Sequence, residues 1–406
     1  KWDLHAVVIG EVVEGDQVTY WKDGEIKAQI PAEHLVLGGG APQYVRETKK
    51  PSYLEETQNA DLSTLSHPTT LIESLEALLG SPNIASKRWV HEQYDTMVRT
   101  NTVQGPGAAD AGIIRLKGSK KGLVAKTDCN GRYVYLNPRR GGQIAVAESA
   151  RNVVCSGAKP MAITNCLNYG NPYKPEVYWT FKESLAGMGD ACRKLNTPVT
   201  GGNVSFYNEN PESAIFPTPI IGMLGVIEDV EKHKMSPSFK KEGDVILYVG
   251  APRIGLGGTE YLKVVHGLIT GDAPILDLDV ELKVQETVLE AITSGLVTAA
   301  HDISDGGLAV SIAEMGIFGS LGAQIDLSVL SGSIHEIWFS EAQSGIVLTC
   351  KPDQKESLMK HLSQGGVDVA QIGTVQGDAL IFEGVGSVSL DQLHNIYESA
   401  IPKAMS

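Results

Sequence analysis

The sequence lacks the features of membrane, exported and nucleic-acid-binding proteins. No run approaches the roughly 20 apolar residues of a membrane-spanning helix, and the first residues, KWDLH, form no hydrophobic signal segment. The five cysteines are widely spaced and contain no CxxC pair, so neither a disulfide framework nor a zinc site is indicated. A formal net charge of −14 argues against binding to a phosphate backbone. We predict a cytoplasmic protein with no membrane and no nucleic-acid partner.

Several well-known site motifs are missing as well. The phosphate-binding pattern GxxxxGK[ST] does not occur, and no local spacing suggests a Ser-His-Asp or Cys-His pair. The segment GLGGTEY, Gly255–Tyr261, has the spacing GxGG instead of GxGxxG, and no acidic residue follows suitably about twenty positions later. A dinucleotide site is therefore not predicted there, although a helix terminus facing a phosphate remains an alternative.

What the chain has in quantity is apolar residues and glycine. Its 406 residues are 42% hydrophobic and 20% charged, which is typical of two or three globular domains. The 44 glycines make up about 11% of the chain, above the ~7% average. Short loops lined by backbone atoms are expected.

A short repeat suggests how the chain is organised. Residues 1–45 alternate strands with turns at EGD and KDG, and the string IGEVVEGD resembles IGTVQGD near the other end of the chain. This predicts that residues 1–45 are the last β-rich piece of one domain whose full copy ends the chain. Residues 46–82 are polar and rich in proline and are interpreted as a linker, with one helical face at Leu71, Leu75, Leu78 and Leu79.

Two full domains are predicted after the linker, at residues 83–231 and 240–406. In the first, Leu123–Thr127 and Met161–Thr164 read as strands and Gly141–Gly157 as a helix, followed by a second amphipathic helix. In the second, strands such as Val245–Gly250 and Gly345–Cys350 alternate with helices. The pattern predicts an α+β or α/β fold.

The most informative segment is TPVTGGNVS, Thr197–Ser205, read with TNCLNYGNP one helix upstream. Gly201 and Gly202 have no Cβ, so backbone amides there can closely approach an anion. The carbonyl oxygen of Asn203 is a ligand that Mg²⁺ accepts, and the hydroxyl of Ser205 can donate to a phosphate. The alternative is a plain turn that ends a strand at the glycines.

Three other polar clusters are open to two interpretations each. Asp128 either supports a turn at Asn130-Gly131 or faces a nucleotide. In AHDISDGGL the carboxylates either bind a metal or cap the helix that begins near Gly306, and the cap is favoured. In SEAQSG, Glu341 and Gln343 are either turn residues or part of a pocket rim.

Eight strings occur in this order: NIASKRWVHEQYD, VQGPGAADAGIIR, TDCNGRYVYLNPRRGG, CLNYGNP, TPVTGGNVSFYNE, PTPIIGMLG, GLGGTEY and AHDISDGGLA. Together they strongly resemble the carboxyl half of the phosphoribosylformylglycinamidine synthase family. The likeness covers essentially the whole chain and is greatest for the small form of the synthetase subunit. It implies an α+β fold made of an aminoimidazole-ribonucleotide-synthetase-like two-domain unit. The amino domain of that unit contributes to a shared β-barrel, and the carboxyl domain is α/β.

The resemblance also implies a reaction and a set of site residues. The family uses ATP and Mg²⁺ to convert formylglycinamide ribonucleotide to formylglycinamidine ribonucleotide in purine biosynthesis. Gly202 matches an ATP contact, Asn203 a Mg²⁺ ligand and Ser205 a substrate contact, while Asp128 is a weaker ATP candidate. Asn165 stands where an ATP-contacting residue is usually Asp, and this departure removes a charge.

No catalytic residue is assigned to this chain, because the catalytic histidine of the family belongs to the first of two tandem copies. The implied partners are the missing amino-terminal half, a glutaminase subunit that delivers ammonia and a small accessory subunit. The isolated chain is therefore expected to be inactive. The alternatives are another ATP-using enzyme of the same superfamily, or a structural half that binds a nucleotide through His301, Asp305, Gly257 and Glu341.

Overall fold

The computed structural model describes residues 3–36 and 44–406, which fall into two compact units divided after Glu47. In the smaller unit, β1 (Gln17–Lys22) and β2 (Glu25–Pro31) form an antiparallel hairpin that leads into a short 3₁₀ helix, Ala32–Leu35. Both residues between the strands, Asp23 and Gly24, have positive φ angles, 53° and 78°. That is the conformation of a two-residue type I′ turn, as the KDG signal predicts.

The larger unit contains two sheets covered by helices. Its strands are β3 (Thr102–Gln104), β4 (Gly112–Arg115), β5 (Gly122–Asp128), β6 (Lys159–Asn168), β7 (Val199–Ser205), β8 (Thr218–Ile227), β9 (Val245–Gly250), β10 (Ala299–Asp302), β11 (Ala323–Ile325), β12 (Gly345–Cys350), β13 (Val369–Val375), β14 (Ala379–Phe382) and β15 (Gly386–Ser389). Its helices are α1 (Tyr53–Gln58), α2 (Leu71–Leu79), α3 (Arg88–His91), α4 (Gly131–Leu136), α5 (Pro138–Cys155), α6 (Pro175–Leu195), α7 (Val230–His233), α8 (Glu260–His266), α9 (Leu278–Thr293), α10 (Gly307–Gly319), α11 (Ile334–Phe339), α12 (Lys355–Gln364) and α13 (Leu390–Met405).

The first sheet has six strands in the order β3-β4-β5-β8-β6-β7. Helices α5 and α6 pack on it, and α5 starts where the side chain of Asn137 accepts a hydrogen bond from the backbone N–H of Arg140 and where Pro138 fits the first turn. The two helices pack so closely at Gly187 that a Cβ there would lie 1.9 Å from the carbonyl oxygen of Arg139. This packing fixes the helix that leads into β6 against the helix that leads into β7.

The second sheet has seven strands in the order β10-β12-β9-β13-β11-β14-β15. Strands β9 and β12 are adjacent, and every residue in both is buried. Alternate side chains of β9 enter different cores: Ile246 packs with α2 and α10, whereas Leu247 packs with α9 and α12. Burial on both faces explains why the sequences VILYVG and GIVLTC show no polar alternation.

Helix α2 lies in the stretch that the sequence suggested as a linker. A capping box formed by Thr70 and Glu73 begins the helix. Its leucines Leu75, Leu78 and Leu79 are fully buried in the core of the second sheet. The expected helical face is present, and it packs because three leucines at helical spacing bury a continuous apolar stripe.

Two local expectations from sequence are wrong. Asn130-Gly131 does not form an isolated turn: the side chain of Asn130 accepts a hydrogen bond from the backbone N–H of Arg132 and caps α4. Helix α10 has no side-chain cap, because its N-cap residue is Gly306, which has no side chain and a left-handed φ of 85°. Asp302 instead lies buried in β10.

Among the described residues, no helix combines the length and apolar character that crossing a membrane requires.

Candidate functional site

The two motifs singled out in the sequence lie side by side at one edge of the six-stranded sheet. Strands β6 and β7 run parallel, and their register places Asn165 opposite Gly202 and Asn168 opposite Ser205. The glycines do not end β7, which continues through Asn203 to Ser205. The structure thus brings together four of the predicted site residues on two neighbouring strands. Of the described strands in this sheet, β7 is the outermost on its side.

Gly202 and Asn165 form one face of this edge. A Cβ on Gly202 would lie 2.1 Å from Oδ1 and 2.4 Å from the backbone oxygen of Asn165, and the φ angle of Gly202 is 155°. No other residue fits at this position without displacing Asn165. Glycine at position 202 therefore allows the Asn165 amide to lie directly against the backbone of β7.

Asn203 and Ser205 lie on the opposite face, because side chains alternate along a strand. Asn203 is exposed, whereas Ser205 is half-buried and exchanges hydrogen bonds with the side chain of Asn208 at 3.1 and 3.3 Å. The amide oxygen of Asn203 fits as a single Mg²⁺ ligand. Mg²⁺ sites usually include one or two carboxylates as well. Neither side chain on this face of β7 supplies one, so the charged ligands must come from outside this edge.

Asp128 lies apart from these four residues. It ends β5, and strand β8 separates it from Asn165, which corresponds to roughly 10 Å. Its carboxylate accepts a hydrogen bond from Nδ2 of Asn152 at 3.4 Å and lies 4.0 Å from Nζ of Lys126. Burial and the nearby Asp302 raise the pKa of Asp128 to about 6, against the opposing effect of Lys126.

Asp128 borders a buried acidic cluster that the sequence did not reveal as a unit. Asp110, His301 and Asp302 place ligand-type atoms within 4.8 Å of one another. Nδ1 of His301 is 2.7 Å from Asp110, and its Nε2 is 3.1 Å from Glu314. Burial disfavours the cation, but these two carboxylates outweigh it and raise the pKa of His301 well above its usual range. Both ring nitrogens of His301 thus face carboxylates, an arrangement that favours the imidazolium cation.

Sequence reasoning could have found part of this cluster from α5. Glu148 and Asn152 are spaced i, i+4 on a helix whose buried positions are mostly apolar, and both are buried. Burial, followed by the charges of Asp128 and Asp302, raises the pKa of Glu148. Polar side chains on a buried helical face need partners. Asn152 finds one by donating a hydrogen bond to Asp302 at 3.2 Å.

The loop residues of the second domain form a separate polar centre around Asp305 and Glu341. Asp305 accepts hydrogen bonds from Nδ2 of Asn83 at 2.7 Å and from Nδ2 of Asn130 at 2.8 Å. The hydroxyl of Tyr133 donates to Glu341 and lies 3.3 Å from Asp305. These contacts join α4 to the second domain, so Asp305 binds across the fold instead of capping α10.

Glu341 also determines the role of the GLGGTEY segment. Its Oε1 accepts hydrogen bonds from the backbone N–H of Glu260, at 2.8 Å, and of Gly306, at 2.7 Å. These are donors at the start of α8 and just before α10. A helix terminus whose backbone N–H groups already donate to a buried carboxyl group is not free to bind a phosphate. Burial, and then the charge of Asp305, raise the pKa of Glu341 to about 8.

Replacing Glu341 by glutamine should stabilise the protein increasingly as the pH rises from 5 to 8. The folded state keeps Glu341 protonated up to a pKa of about 8, whereas an unfolded Glu ionises near pH ~4.3. The folded state therefore binds more protons in this window, and wild-type stability falls as the pH rises. The gain in unfolding free energy of E341Q over wild type should grow by up to about 1.4 kcal/mol per pH unit, as measured by urea unfolding.

Glu336 provides a matched control for this experiment. Burial alone would raise its pKa, but hydrogen bonds from the backbone N–H of Gly255 and from Ser333 lower it below the ordinary value. E336Q should therefore show no growing gain between pH 5 and 8. A gain of E341Q that is constant with pH would contradict the assignment of Glu341 as the group that titrates.

Comparison with known proteins identifies two domain families in the chain. The family described as "AIR synthase related protein, N-terminal domain" matches residues 108–227. The family described as "AIR synthase related protein, C-terminal domain" matches residues 241–384. The two families together confirm the predicted fold class. The exact domain boundaries stay predictions.

Similar curated proteins carry one common name. The chain is 51% identical over 420 residues to "Phosphoribosylformylglycinamidine synthase subunit PurL" of Salinibacter ruber, covering 100% of this chain and 55% of the relative. It is 45% identical over 406 residues to the protein of the same name from Alkaliphilus metalliredigens, covering 99% and 54%. The chain thus spans about half the length of the curated relatives it matches.

Solved structures agree with the fold. "T. maritima PurL complexed with FGAR" matches with a TM-score of 0.67 and 19% identity, covering 82% of this chain and 54% of that one. "T. maritima PurL complexed with ATP" matches with a TM-score of 0.63 and 20% identity, covering 82% and 53%. At this identity the likeness concerns the fold alone.

Proposed function

Because this chain belongs to the AIR synthase related family, among its phosphoribosylformylglycinamidine synthase subunits, we propose that it serves the ATP-dependent amidation of formylglycinamide ribonucleotide. The product is formylglycinamidine ribonucleotide, an intermediate of de novo purine biosynthesis. The observation that carries the proposal is 51% identity along the whole chain to a relative of that name. This chain supplies one wall of the active cleft, and the other wall belongs to the half of the relatives that it does not cover.

The proposed reaction exchanges an amide oxygen for nitrogen. The amide oxygen attacks the terminal phosphorus of ATP and releases ADP, after which ammonia adds to the activated carbon and phosphate leaves. Phosphorylation turns a poor oxygen leaving group into a good one. When bound, Mg²⁺ spreads the negative charge of the transferring phosphoryl group. The protein has to hold the two substrates in line and exclude water.

The edge formed by β6 and β7 is the part of this chain assigned to that task. Gly202 contacts ATP through its backbone, and the Asn165 amide that packs against it contacts the nucleotide from the same face. Asn203 offers its exposed amide oxygen to Mg²⁺, and Ser205 binds the ribonucleotide from the same face. Support comes from their register on two adjacent strands. Asp128, which lies deeper and beside Lys126, is a weaker ATP contact.

We extend the proposal to the partners and to the first 45 residues. Ammonia would come from a glutaminase subunit, with a small accessory subunit in the same cytoplasmic complex. Residues 1–45 would close the sheet of another carboxyl-type domain. The hairpin of β1 and β2, followed by a 3₁₀ helix, resembles the hairpin of β14 and β15, which leads directly into α13.

The proposal is tested by reconstitution. The 406-residue chain is mixed with a polypeptide covering the remaining half of the Salinibacter ruber relative, and ADP and amidine are measured with ATP, Mg²⁺ and ammonium chloride as nitrogen donor. We expect product from the mixture and none from either polypeptide alone. Amidine formation by the isolated chain would contradict the shared cleft. A mixture that associates but forms no amidine would contradict the proposed function.

A further inference from the structure

The side chain of Asn208 joins the turn that follows β7 to the residue just after β6. Its Nδ2 lies 2.9 Å from the backbone oxygen of Ser205 and 3.1 Å from that of Tyr169. The same Nδ2 lies 3.1 Å from the hydroxyl of Ser205, which in turn lies 3.3 Å from Oδ1 of Asn208. A single amide thus contacts both strand ends and the side chain assigned to the substrate.

Backbone bonds hold Asn208 in the position from which it can do this. Its N–H donates to the carbonyl oxygen of Tyr169 at 3.1 Å, and its carbonyl oxygen accepts from the N–H of Ile215 at 3.0 Å. Tyr207 just before it has a left-handed φ of 60°, a conformation uncommon for a residue with a side chain. The turn is therefore specific, and it directs the amide of Asn208 back towards the end of β7.

We propose that Asn208 is a positioning residue that orients the hydroxyl of Ser205 towards the ribonucleotide substrate; this inference rests on the proposed function. A free serine hydroxyl rotates among three staggered positions. The amide restricts this rotation, because it offers both a donor and an acceptor to the hydroxyl. Nδ2 carries two hydrogens for three nearby acceptors, the carbonyl oxygens of Ser205 and Tyr169 and the hydroxyl of Ser205. Oδ1 is therefore the partner that holds the hydroxyl hydrogen until the substrate accepts it.

Asparagine is suited to this role, and aspartate is not. Two carbonyl oxygens, of Tyr169 and Ser205, face the Nδ2 group. A carboxylate would place an acceptor oxygen opposite these two acceptors, with no hydrogen to bond them. Ser205 would donate its hydrogen to the charged oxygen more strongly than it does to Oδ1 of asparagine, because charge-assisted hydrogen bonds are the stronger ones. The substrate would then lose its donor while the Ser205 side chain is still present.

The test is a substitution of Asn208 by aspartate in the reconstituted two-half assembly, with ammonium chloride as nitrogen donor. We expect the KM for formylglycinamide ribonucleotide to rise about tenfold, the effect of losing one hydrogen bond, while kcat changes less than about twofold. Asn208→Ser, whose shorter side chain removes the amide without adding charge, should also raise the KM and guards against a folding failure of Asn208→Asp. The thermal unfolding midpoint of each variant is measured in parallel.

Asn210 offers a matched control in the same turn. Its Oδ1 accepts hydrogen bonds from the backbone N–H groups of Glu212 and Ser213, at 2.8 and 2.7 Å. Aspartate can accept both of these bonds, so Asn210→Asp should leave the KM unchanged. The same chemical change two residues away thus separates a general charge effect from the loss of the Asn208 donor.

A double-variant cycle with Ser205→Ala decides how Asn208 acts. If Asn208 acts through Ser205, Asn208→Asp should add little to the KM already raised by Ser205→Ala. If the two substitutions instead raise the KM by independent factors that multiply, the inference is overturned. An unchanged KM in Asn208→Asp would overturn it as well. Both outcomes leave the proposed function intact. An unchanged KM in Ser205→Ala would overturn it together with the role of Ser205. An assembly that neither binds nor amidates the ribonucleotide would instead refute the proposed function itself, and the inference with it.

Discussion

Replacing Arg151 by methionine is expected to lower the free energy of unfolding by about 3–5 kcal/mol. Arg151 lies on α5 and is fully buried; its Nη1 is 2.9 Å from both carboxylate oxygens of Glu281 on α9. Its Nη2 donates to Oε1 of Gln343 at 2.7 Å. Removing the guanidinium would leave the Glu281 carboxylate buried without its counter-charge, and that is the costly part of the change. Urea or guanidinium chloride unfolding of the 406-residue chain measures the loss.

A surface arginine serves as the control. Arg139 pairs with Asp190 at 2.7 Å, but its side chain is 52% exposed, and exposed pairs contribute only ~0–1 kcal/mol. Arg139→Met should therefore change stability little. Similar losses for the two variants would contradict the importance assigned to burial.

The double variant Arg151→Met/Glu281→Met should recover part of the loss, because it removes both buried charges. Recovery is incomplete, since Ser344 also donates to Glu281, at 2.6 Å, and Gln285 donates at 2.7 Å. Gln285 keeps a second acceptor, the carbonyl oxygen of Ala147. A double variant less stable than Arg151→Met alone would argue that the two residues do not act as an ion pair.

The sequence predicted the elements whose signal is local. Strand β9, helix α6 and the turn at Asp23-Gly24 are all present, because apolar periodicity and glycine conformation act within a few residues. The errors at Asn130 and Asp305 have a different origin. Nδ2 of Asn130 donates to Asp305 at 2.8 Å across 175 positions of sequence. A partner so distant in sequence cannot be predicted from local patterns. Propensity alone therefore favoured a turn at Asn130 and a helix cap at Asp305.

The candidate site was predictable in composition but not in geometry. The motif was found because Gly202, Asn203 and Ser205 are residue types that suit a phosphate or a cation. Its division between two faces follows from the continuation of β7 past the glycines, where the sequence favoured an end of the strand. The alternative of a nucleotide held by Gly257 and Glu341 meets a physical obstacle, because Glu341 already accepts from amide donors beside α8 and α10.

The second large effect is expected for Asn203→Ala in the reconstituted assembly: a fall in kcat of at least about 100-fold with little change in stability. Losing even an outer-shell partner of a bound metal typically costs 10–100-fold in affinity or activity, and Asn203 is proposed as a direct ligand. Its side chain is exposed on β7, so truncation creates no core cavity. Activity is measured as amidine formation at saturating ATP, and stability by urea unfolding.

Dependence on the metal concentration distinguishes a ligand from a merely structural residue. If Asn203 binds Mg²⁺, its loss weakens binding, and raising Mg²⁺ should restore part of the activity of Asn203→Ala while leaving the parent unchanged. Asn210→Ala, an exposed asparagine in the turn beyond β7, should respond as the parent does. Unchanged kinetics with lowered stability would instead make Asn203 a structural residue of β7, and the cation would then have to be held entirely by groups across the cleft.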